Sequence, residues 1–337
     1  MRWLRLLACA ALAGLLSGCT AIERLANGPS RYIDLHYPVG KSDRQQYPHT
    51  VDATGALWYI DGDSIVRTST PSRREILRDP DVKAGTLFWY DRAVYAVDGS
   101  GTALSRIGDR LRVAARDVPS TFAPVAGAIA DARHRWVVLA QTKPHELAVL
   151  DVWKWYSERI PPSIDPYAST LAGGPHGKKY LVVADARRPS IAIKNRRNDR
   201  SVVVKLPDNT CFASSSRAWS VPVDVRGRDD YRTWATAGKH VISIDLASKR
   251  ILRTWDLDGC AMRILRADGD EVTVLLGSRV SNGYASTIVR VDHDGIHQLD
   301  QYGTLDGLAG GAMIDRYDRL WWYDPKARAF VCRTPLA

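Results

Sequence analysis

The 337-residue chain is poor in Phe (4), Met (3) and Cys (5). So few cysteines exclude a disulfide-packed miniprotein. It contains no Gly-x-Ser-x-Gly elbow, no phosphate-cradling glycine loop and no Cys-x-x-Cys pair, which removes the usual sequence support for a serine hydrolase, a nucleotide site or a thiol-redox site. The longest apolar run, Leu6–Leu16, has 11 residues. At about 1.5 Å per residue it covers roughly half of a hydrocarbon core of about 30 Å, too little for a spanning helix. No long segment carries helical periodicity. What the chain does have is 45% hydrophobic and 25% charged residues, 11 Trp, 14 Tyr, 25 Gly, 17 Pro and a formal net charge of +10. Those fractions describe a folded protein with short elements and many turns.

Arg2 and Arg5 precede the Leu6–Leu16 run, and Leu16-Ser17-Gly18-Cys19 follows it. Positive flank, short apolar core and small residues are the parts of an export signal. The combination resembles a bacterial lipoprotein lipobox, which implies cleavage after residue 18 and diacylglyceryl modification of the Cys19 thiol. The expected organisation is a signal peptide over 1–18, a lipidated polar tether over 19–31 and one folded domain over 32–337. The same resemblance bears on location. Residue 20 is Thr, not the Asp associated with inner-membrane retention, which implies the outer membrane and its periplasmic leaflet. Twelve flexible residues reach about 20 Å, so the domain would sit close to the lipid. An oxidising compartment permits disulfides. Three cysteines then remain in the body, enough for one bridge and one leftover. Cys211 and Cys260 fall between successive units of the repeat described next, at equivalent positions, and are the candidate pair. Cys332, on a strand, is expected to be a buried thiol.

Beyond residue 31 the sequence is a succession of short β-rich runs punctuated by Asp-Gly at 61–62, 98–99, 258–259, 268–269, 294–295 and 306–307. Asp-Gly tolerates positive φ at both positions and marks tight turns. One aromatic-rich strand recurs: ALWYID, AVYAVD, WVVLA, YLVVA, YRTWA, EVTVLL and RLWWYD, starting at 56, 93, 136, 180, 231, 271 and 319. The spacing averages about 44 residues, within the roughly 40–45 of common propeller repeats with four strands per blade. Filling repeat three predicts strands at 125–130, 135–141, 146–152 and 154–160. Repeat five predicts 218–225, 231–235, 240–246 and 250–257. Repeat seven runs out of chain after three strands. Tyr32–Val39 alternates with period two and belongs to no repeat, so it is expected to complete the last blade. The predicted fold is an all-β, seven-bladed β-propeller closed by its N-terminal strand.

Two phrases, Asp52-Ala53-Thr54-Gly55-Ala56-Leu57-Trp58-Tyr59 and Asp315-Arg316-Tyr317-Asp318-Arg319-Leu320-Trp321-Trp322, resemble the Asp-x-x-Gly-x-Leu-Trp blades of streptogramin-lyase-like and sensor-type propellers. Gly173-Gly174-Pro175-His176-Gly177 resembles the Pro-x-Gly turns of the lyase-like group. That resemblance implies a general-base candidate in His176, near the channel.

Repeat four is basic, with Lys178, Lys179, Arg187, Arg188, Lys194, Arg196, Arg197 and Arg200 against Asp185 and Asp199. Loops joining strands one to two and three to four share a face of a propeller. Lys178, Lys179, Lys194, Arg196, Arg197 and Arg200 are therefore expected together as a candidate anion- or partner-binding patch, with Arg187 and Arg188 opposite. His293 and His297 are four apart, but the Asp294-Gly295 turn between them removes helical metal spacing. No metal site and no cofactor are called for. Asp256-Leu257-Asp258-Gly259 and Asp292-His293-Asp294-Gly295 begin like calcium loops but lack the later ligands, so they read as turns. In each of the pairs Trp153/Trp155 and Trp321/Trp322, one member is a candidate exposed platform.

The functional expectation is a membrane-anchored periplasmic lipoprotein that binds or scaffolds envelope components, its partner an envelope protein or an anionic polymer rather than nucleic acid. The alternatives are a periplasmic lyase or hydrolase with a channel-mouth site and a sensor of anionic ligands on repeat four.

Overall fold

A computed structural model describes residues 32–39, 47–78, 85–90, 92–108, 113–116, 118–122, 125–130, 136–141, 143, 145–151, 154–174, 178–213, 218–227, 231–280, 283–304 and 311–335. The leader, Cys19 and the tether lie outside these residues, as do His176 and Trp153.

The chain is a seven-bladed β-propeller. It opens with β1 (Tyr32–Pro38). Blade one follows as β2 (His49–Val51), β3 (Leu57–Asp61), β4 (Ser64–Thr70) and β5 (Arg73–Arg78), and blade two as β6 (Thr86–Tyr90), β7 (Ala93–Val97), β8 (Leu104–Ile107) and β9 (Val113–Arg116). Blade three is β10 (Val125–Ala130), β11 (Trp136–Gln141), β12 (Glu146–Asp151) and β13 (Lys154–Arg159), and blade four is β14 (Pro166–Ala172), β15 (Tyr180–Asp185), β16 (Ser190–Asn195) and β17 (Arg200–Lys205). A separate hairpin, β18 (Thr210–Ala213) and β19 (Ala218–Ser220), precedes blade five. That blade is β20 (Asp224–Gly227), β21 (Arg232–Ala237), β22 (His240–Asp245) and β23 (Arg250–Asp256). Blade six is β24 (Cys260–Asp268), β25 (Glu271–Val280), β26 (Gly283–Val291) and β27 (Ile296–Thr304), and blade seven is β28 (Met313–Ile314), β29 (Leu320–Asp324) and β30 (Ala329–Pro335). Within each blade the strands are antiparallel and in chain order. The exception is the last, ordered β1-β30-β29-β28. β1 pairs with β30 from Tyr32↔Pro335 to Pro38↔Ala329, and Arg333 clasps Asp34 with two 2.6 Å contacts. The predicted closure is therefore the observed one.

The recurring aromatic strands are β3, β7, β11, β15, β21, β25 and β29, the second strand of each blade. They recur so visibly because they are covered on both faces: β7 and β15 are buried throughout, and β3 and β29 at every residue but the last. Burial on two faces replaces alternation by near-continuous apolar runs. Their side chains divide between the neighbouring blades, which makes seven apolar clusters, one per seam. Trp321 packs in the seam between blades seven and one, and Trp322 in the seam between six and seven. Both are buried, at 0% and 3% exposure, so neither is an exposed platform.

One strand differs from expectation. The predicted run 218–225 is split into β19 and β20. Pro222 has no N–H and interrupts the ladder between them. β19 instead pairs back to β18 as the inserted hairpin.

The Asp-x-x-Gly phrases have a structural explanation. After β2, the Asp52 carboxylate accepts the N–H of Thr54 (2.8 Å) and Ala56 (3.1 Å) on Oδ1 and the indole N–H of Trp58 (2.8 Å) on Oδ2. After β28, Asp315 accepts the N–H of Tyr317 (2.8 Å) and Arg319 (3.1 Å), and its Oδ2 takes Arg319 Nε (2.7 Å) and the indole N–H of Trp321 (2.9 Å). One carboxylate thus closes the turn and pins the aromatic of the next strand. Gly55 and Asp318 occupy the same place with φ of 81° and 60°, a conformation Gly adopts freely and Asp tolerates. The two turns also meet across the closing seam, where Tyr317 Oη donates to the Ala53 carbonyl (2.7 Å) and Arg319 to the Gly55 carbonyl (3.1 Å). Asp315→Ala would orphan the Trp321 indole and two backbone donors together. The expected loss is about 2–4 kcal/mol in a urea titration, with Asp315→Asn losing less.

Candidate functional site

The six cations singled out on blade four are gathered on the face that carries the strand-one-to-two and three-to-four turns. Arg196 N–H donates to the Lys179 carbonyl (3.0 Å) and its guanidinium to the Lys178 carbonyl (3.1 Å). Their charges, however, are largely used inside the protein. Lys178 Nζ meets Asp151 Oδ1 of blade three at 2.5 Å. Lys194, 4% exposed, meets Glu158 Oε2 at 3.1 Å, Asp199 Oδ1 at 2.6 Å and the Arg159 carbonyl at 2.9 Å. Arg196 Nε meets Glu158 Oε1 at 2.5 Å and its guanidinium lies over the Tyr156 ring. Asp151, Glu158 and Arg159 all belong to blade three, so these cations fasten two blades to each other. Lys179 sits over the rings of Tyr180 and Tyr231. Arg197 and Arg200 are left exposed at the turn tip. Arg187 and Arg188 lie on the opposite face, where Arg187 pairs with Asp165 at 2.8 Å.

A second group of charges lies around the axis, on innermost strands. Val225 packs in the seam between blades four and five, so its neighbours Asp224 and Arg226 face blade six. Arg263 follows a bulge in β24 and stands opposite Leu275, which faces blade seven. His49 stands opposite Tyr59, in the seam between blades seven and one. It approaches blade seven so closely that a Cβ on Gly311 would lie 3.0 Å from its ring. The inner strand of blade seven, β28, has two residues. His49 Nδ1 is 2.9 Å from the Tyr47 carbonyl and so donates to it. Burial, opposed by that bond and reinforced by Arg263, holds the imidazole below its ordinary pKa of 6.5. Burial also lowers Arg226, with Asp224 pulling upward and Arg263 adding repulsion. The neutral folded His49 has a consequence for stability. Above pH 6.5 neither state binds the proton; as pH falls below 6.5 the unfolded chain binds it first, and the fold weakens until the folded pKa is reached. The slope is at most about 1.4 kcal/mol per pH unit. Melting temperature against pH should show it, and His49→Gln should flatten it.

Cys211 and Cys260 are joined by a disulfide across 49 residues, with Cα atoms 5.4 Å apart. Cys211 lies within β18 and Cys260 opens β24, so the bridge ties the inserted hairpin to the start of blade six. On a loop-entropy argument it contributes roughly 4 kcal/mol. Cys332 is a buried free thiol whose pKa burial pushes up to about 11.

At the Asp292 turn, ligand atoms of Asp292, His293 and Asp294 lie within 4.8 Å of one another. Asp292 Oδ1 already accepts the N–H of Asp294 (2.9 Å) and Gly295 (3.2 Å) and faces His297 Nε2 (3.1 Å). The carboxylate is therefore occupied in holding the turn, as the Asp-Gly reading implies.

No protein-family model matches the chain, and no curated protein matches it in sequence. Solved structures match it in fold. Virginiamycin B lyase from Staphylococcus aureus superposes with a TM-score of 0.61 at 14% identity, over 90% of this chain and 99% of its own. A chain of the mitotic checkpoint complex gives 0.63 at 9% identity, over 91% and 94%. The Pan2 WD40 domain of Neurospora crassa gives 0.56 at 13%, over 91% and 97%. At such identities the likeness is one of architecture: this chain shares the β-propeller fold with a streptogramin-type lyase and with WD40 domains.

Proposed function

We propose that the protein is a lipid-anchored binding propeller of the bacterial envelope, attached through Cys19 to the outer membrane and facing the periplasm, where it scaffolds an envelope protein or an anionic polymer. The observation that carries this reading is the place of β1. It is the outermost strand of blade seven, so a chain arriving from Cys19 reaches the ring at its rim. A rim attachment leaves both loop-bearing faces open to a partner, which is how a disc would be mounted for binding. The lipobox-like Leu16-Ser17-Gly18-Cys19 supports the anchor, and the inserted hairpin gives one face a shape of its own.

The test is metabolic labelling with palmitate. Label is expected in the native chain and in the membrane fraction, and absent from Cys19→Ser, which should fractionate as a free protein. Label persisting in Cys19→Ser, or absent from both, overturns the anchor. Crosslinking in intact cells should then recover a defined envelope component with the native chain, and its absence from membrane extracts overturns the scaffold.

A further inference from the structure

The geometry points to β17, the outermost strand of blade four, as a docking edge for an extended segment of a partner protein, aliphatic in its middle and acidic at both ends. This rests on the reading that the ring binds another envelope component, narrows that component to a protein, and does not depend on the Cys19 anchor.

Three observations carry it. First, β17 is an open edge without the usual protection. It is paired with β16 alone, so the outward half of its backbone N–H and C=O groups has no strand beside it. Every blade ends in such an edge, and folded proteins blunt them with bulges, charges or proline. The ladders that hold β5, β9, β23 and β27 each contain a register shift. β1 ends on Pro38, and β13 carries Lys154, Glu158 and Arg159. β17 instead pairs with β16 in unbroken register and reads Arg200-Ser201-Val202-Val203-Val204-Lys205. Three consecutive valines on a regular edge favour the addition of another strand.

Second, apolar surface continues on both sides of β17. Val203 stands opposite Ala192, in the seam between blades three and four, and Tyr156 of β13 stands opposite Val149 in the same seam. Val202 stands opposite Ile193, in the seam between blades four and five, and Ile251 of β23 opposite Ile244 there. Val203, Tyr156, Val202 and Ile251 are between 37% and 42% exposed, so an added strand finds apolar ground under each of its two alternating rows of side chains. Third, the ends are basic. Arg200 and Lys205 are exposed and, among the described residues, have no acidic partner; Asp199 beside them is taken by Lys194 at 2.6 Å. At about 3.4 Å per residue the two cations are about 17 Å apart along the strand, and acidic side chains at that spacing on an added strand would face both. A second copy of this chain does not fit: self-pairing about the valines, parallel or antiparallel, sets cation against cation. A bilayer offers nothing to the row of backbone groups.

The experiment uses the full chain in mild detergent and a fluorescent peptide, Glu-Val-Ile-Val-Thr-Asp, written to lie antiparallel with its acids against Lys205 and Arg200. Fluorescence anisotropy should show saturable binding that weakens as salt rises. Hydrogen–deuterium exchange should slow at the amides of residues 200–205 when the peptide is present. Arg200→Glu/Lys205→Glu should weaken binding about tenfold or more and should take up Lys-Val-Ile-Val-Thr-Lys instead, both cross-strand charge pairs having changed sign. Arg188→Glu, on the opposite face, should bind as the native chain does. No binding, or binding without protection at residues 200–205, overturns the proposal. So does an equal loss in Arg188→Glu, which would mean general attraction to surface charge. Protection brought by phosphatidylglycerol in the micelle but not by the peptide overturns it in favour of a lipid surface. Should the double variant fail to fold, hydrogen exchange on the native chain decides by itself. Failure here, with an envelope component still crosslinked in cells, removes this edge and leaves the binding reading standing.

Discussion

A chain lacking residues 32–38 is expected to lose its cooperative unfolding transition and to aggregate. β1 supplies the whole outer strand of blade seven, including the register from Tyr32↔Pro335 to Pro38↔Ala329. Tyr37 is buried against Trp321, their ring centroids 5.1 Å apart. Without β1, β30 becomes an apolar edge with unpaired backbone, the feature that recruits strands from other molecules. The seam between blades seven and one loses a wall, and the expected cost is comparable to the whole stability of a domain, on the order of 5–15 kcal/mol. Thermal unfolding followed by circular dichroism and size-exclusion chromatography checks this. A peptide of residues 32–39 added in trans should restore the transition, because strand addition supplies the same ladder. A monomer melting like the native chain would show that the ring stays closed without it. A smaller lesion in the same seam, Phe330→Ala, should cost about 3–5 kcal/mol, since Phe330 is fully buried among Tyr47, Tyr59 and Tyr323.

The second large effect is expected at Glu158. This carboxylate, 7% exposed, receives both Lys194 and Arg196 from the next blade. Glu158→Ala leaves Lys194, at 4% exposure, with only Asp199 and the Arg159 carbonyl, and strands Arg196 Nε. Breaking one side of a buried pair costs about 3–5 kcal/mol, whereas replacing both sides by apolar groups of similar size is often neutral. Guanidinium titrations should therefore show a large loss for Glu158→Ala and a recovery of most of it in Glu158→Leu/Lys194→Met/Arg196→Met, which replaces the carboxylate and both of its cations. Arg197→Ala, at the exposed tip, should fall within about 0.5 kcal/mol. Equal effects at residues 158 and 197 would mean that the buried network contributes nothing special.

The fold was legible because propeller blades repeat their most buried strand. The run LWYID of β3 and the run LWWYD of β29 carry the same burial and the same Asp-held turn, so spacing alone identifies the ring. The need for β1 was legible from arithmetic, blade seven having three strands and one strand being left over. The β18–β19 hairpin was less so: Ala218–Ser220 has the composition of an inner strand, and only Pro222 marks where it stops. Site chemistry was harder again. Lys194 and Arg196 look like a charged tip, and their shared partner Glu158 lies far away in sequence on another blade. Arg226 sits on a four-residue strand and Arg263 on a bulged one, so nothing local separates them from surface arginines.

Joining β1 to β30 also imposes an order of events. Asp34 and Arg333 are 299 residues apart. At about 5–20 residues per second, synthesis separates the two partners by tens of seconds. Throughout that interval the first segment made has no mate and the ribbon awaiting it does not exist. The blades between can assemble on local contacts as they emerge, but the circle locks only with the last strand. Any factor that accompanies the newborn polypeptide must therefore shield its leading end until the trailing end arrives.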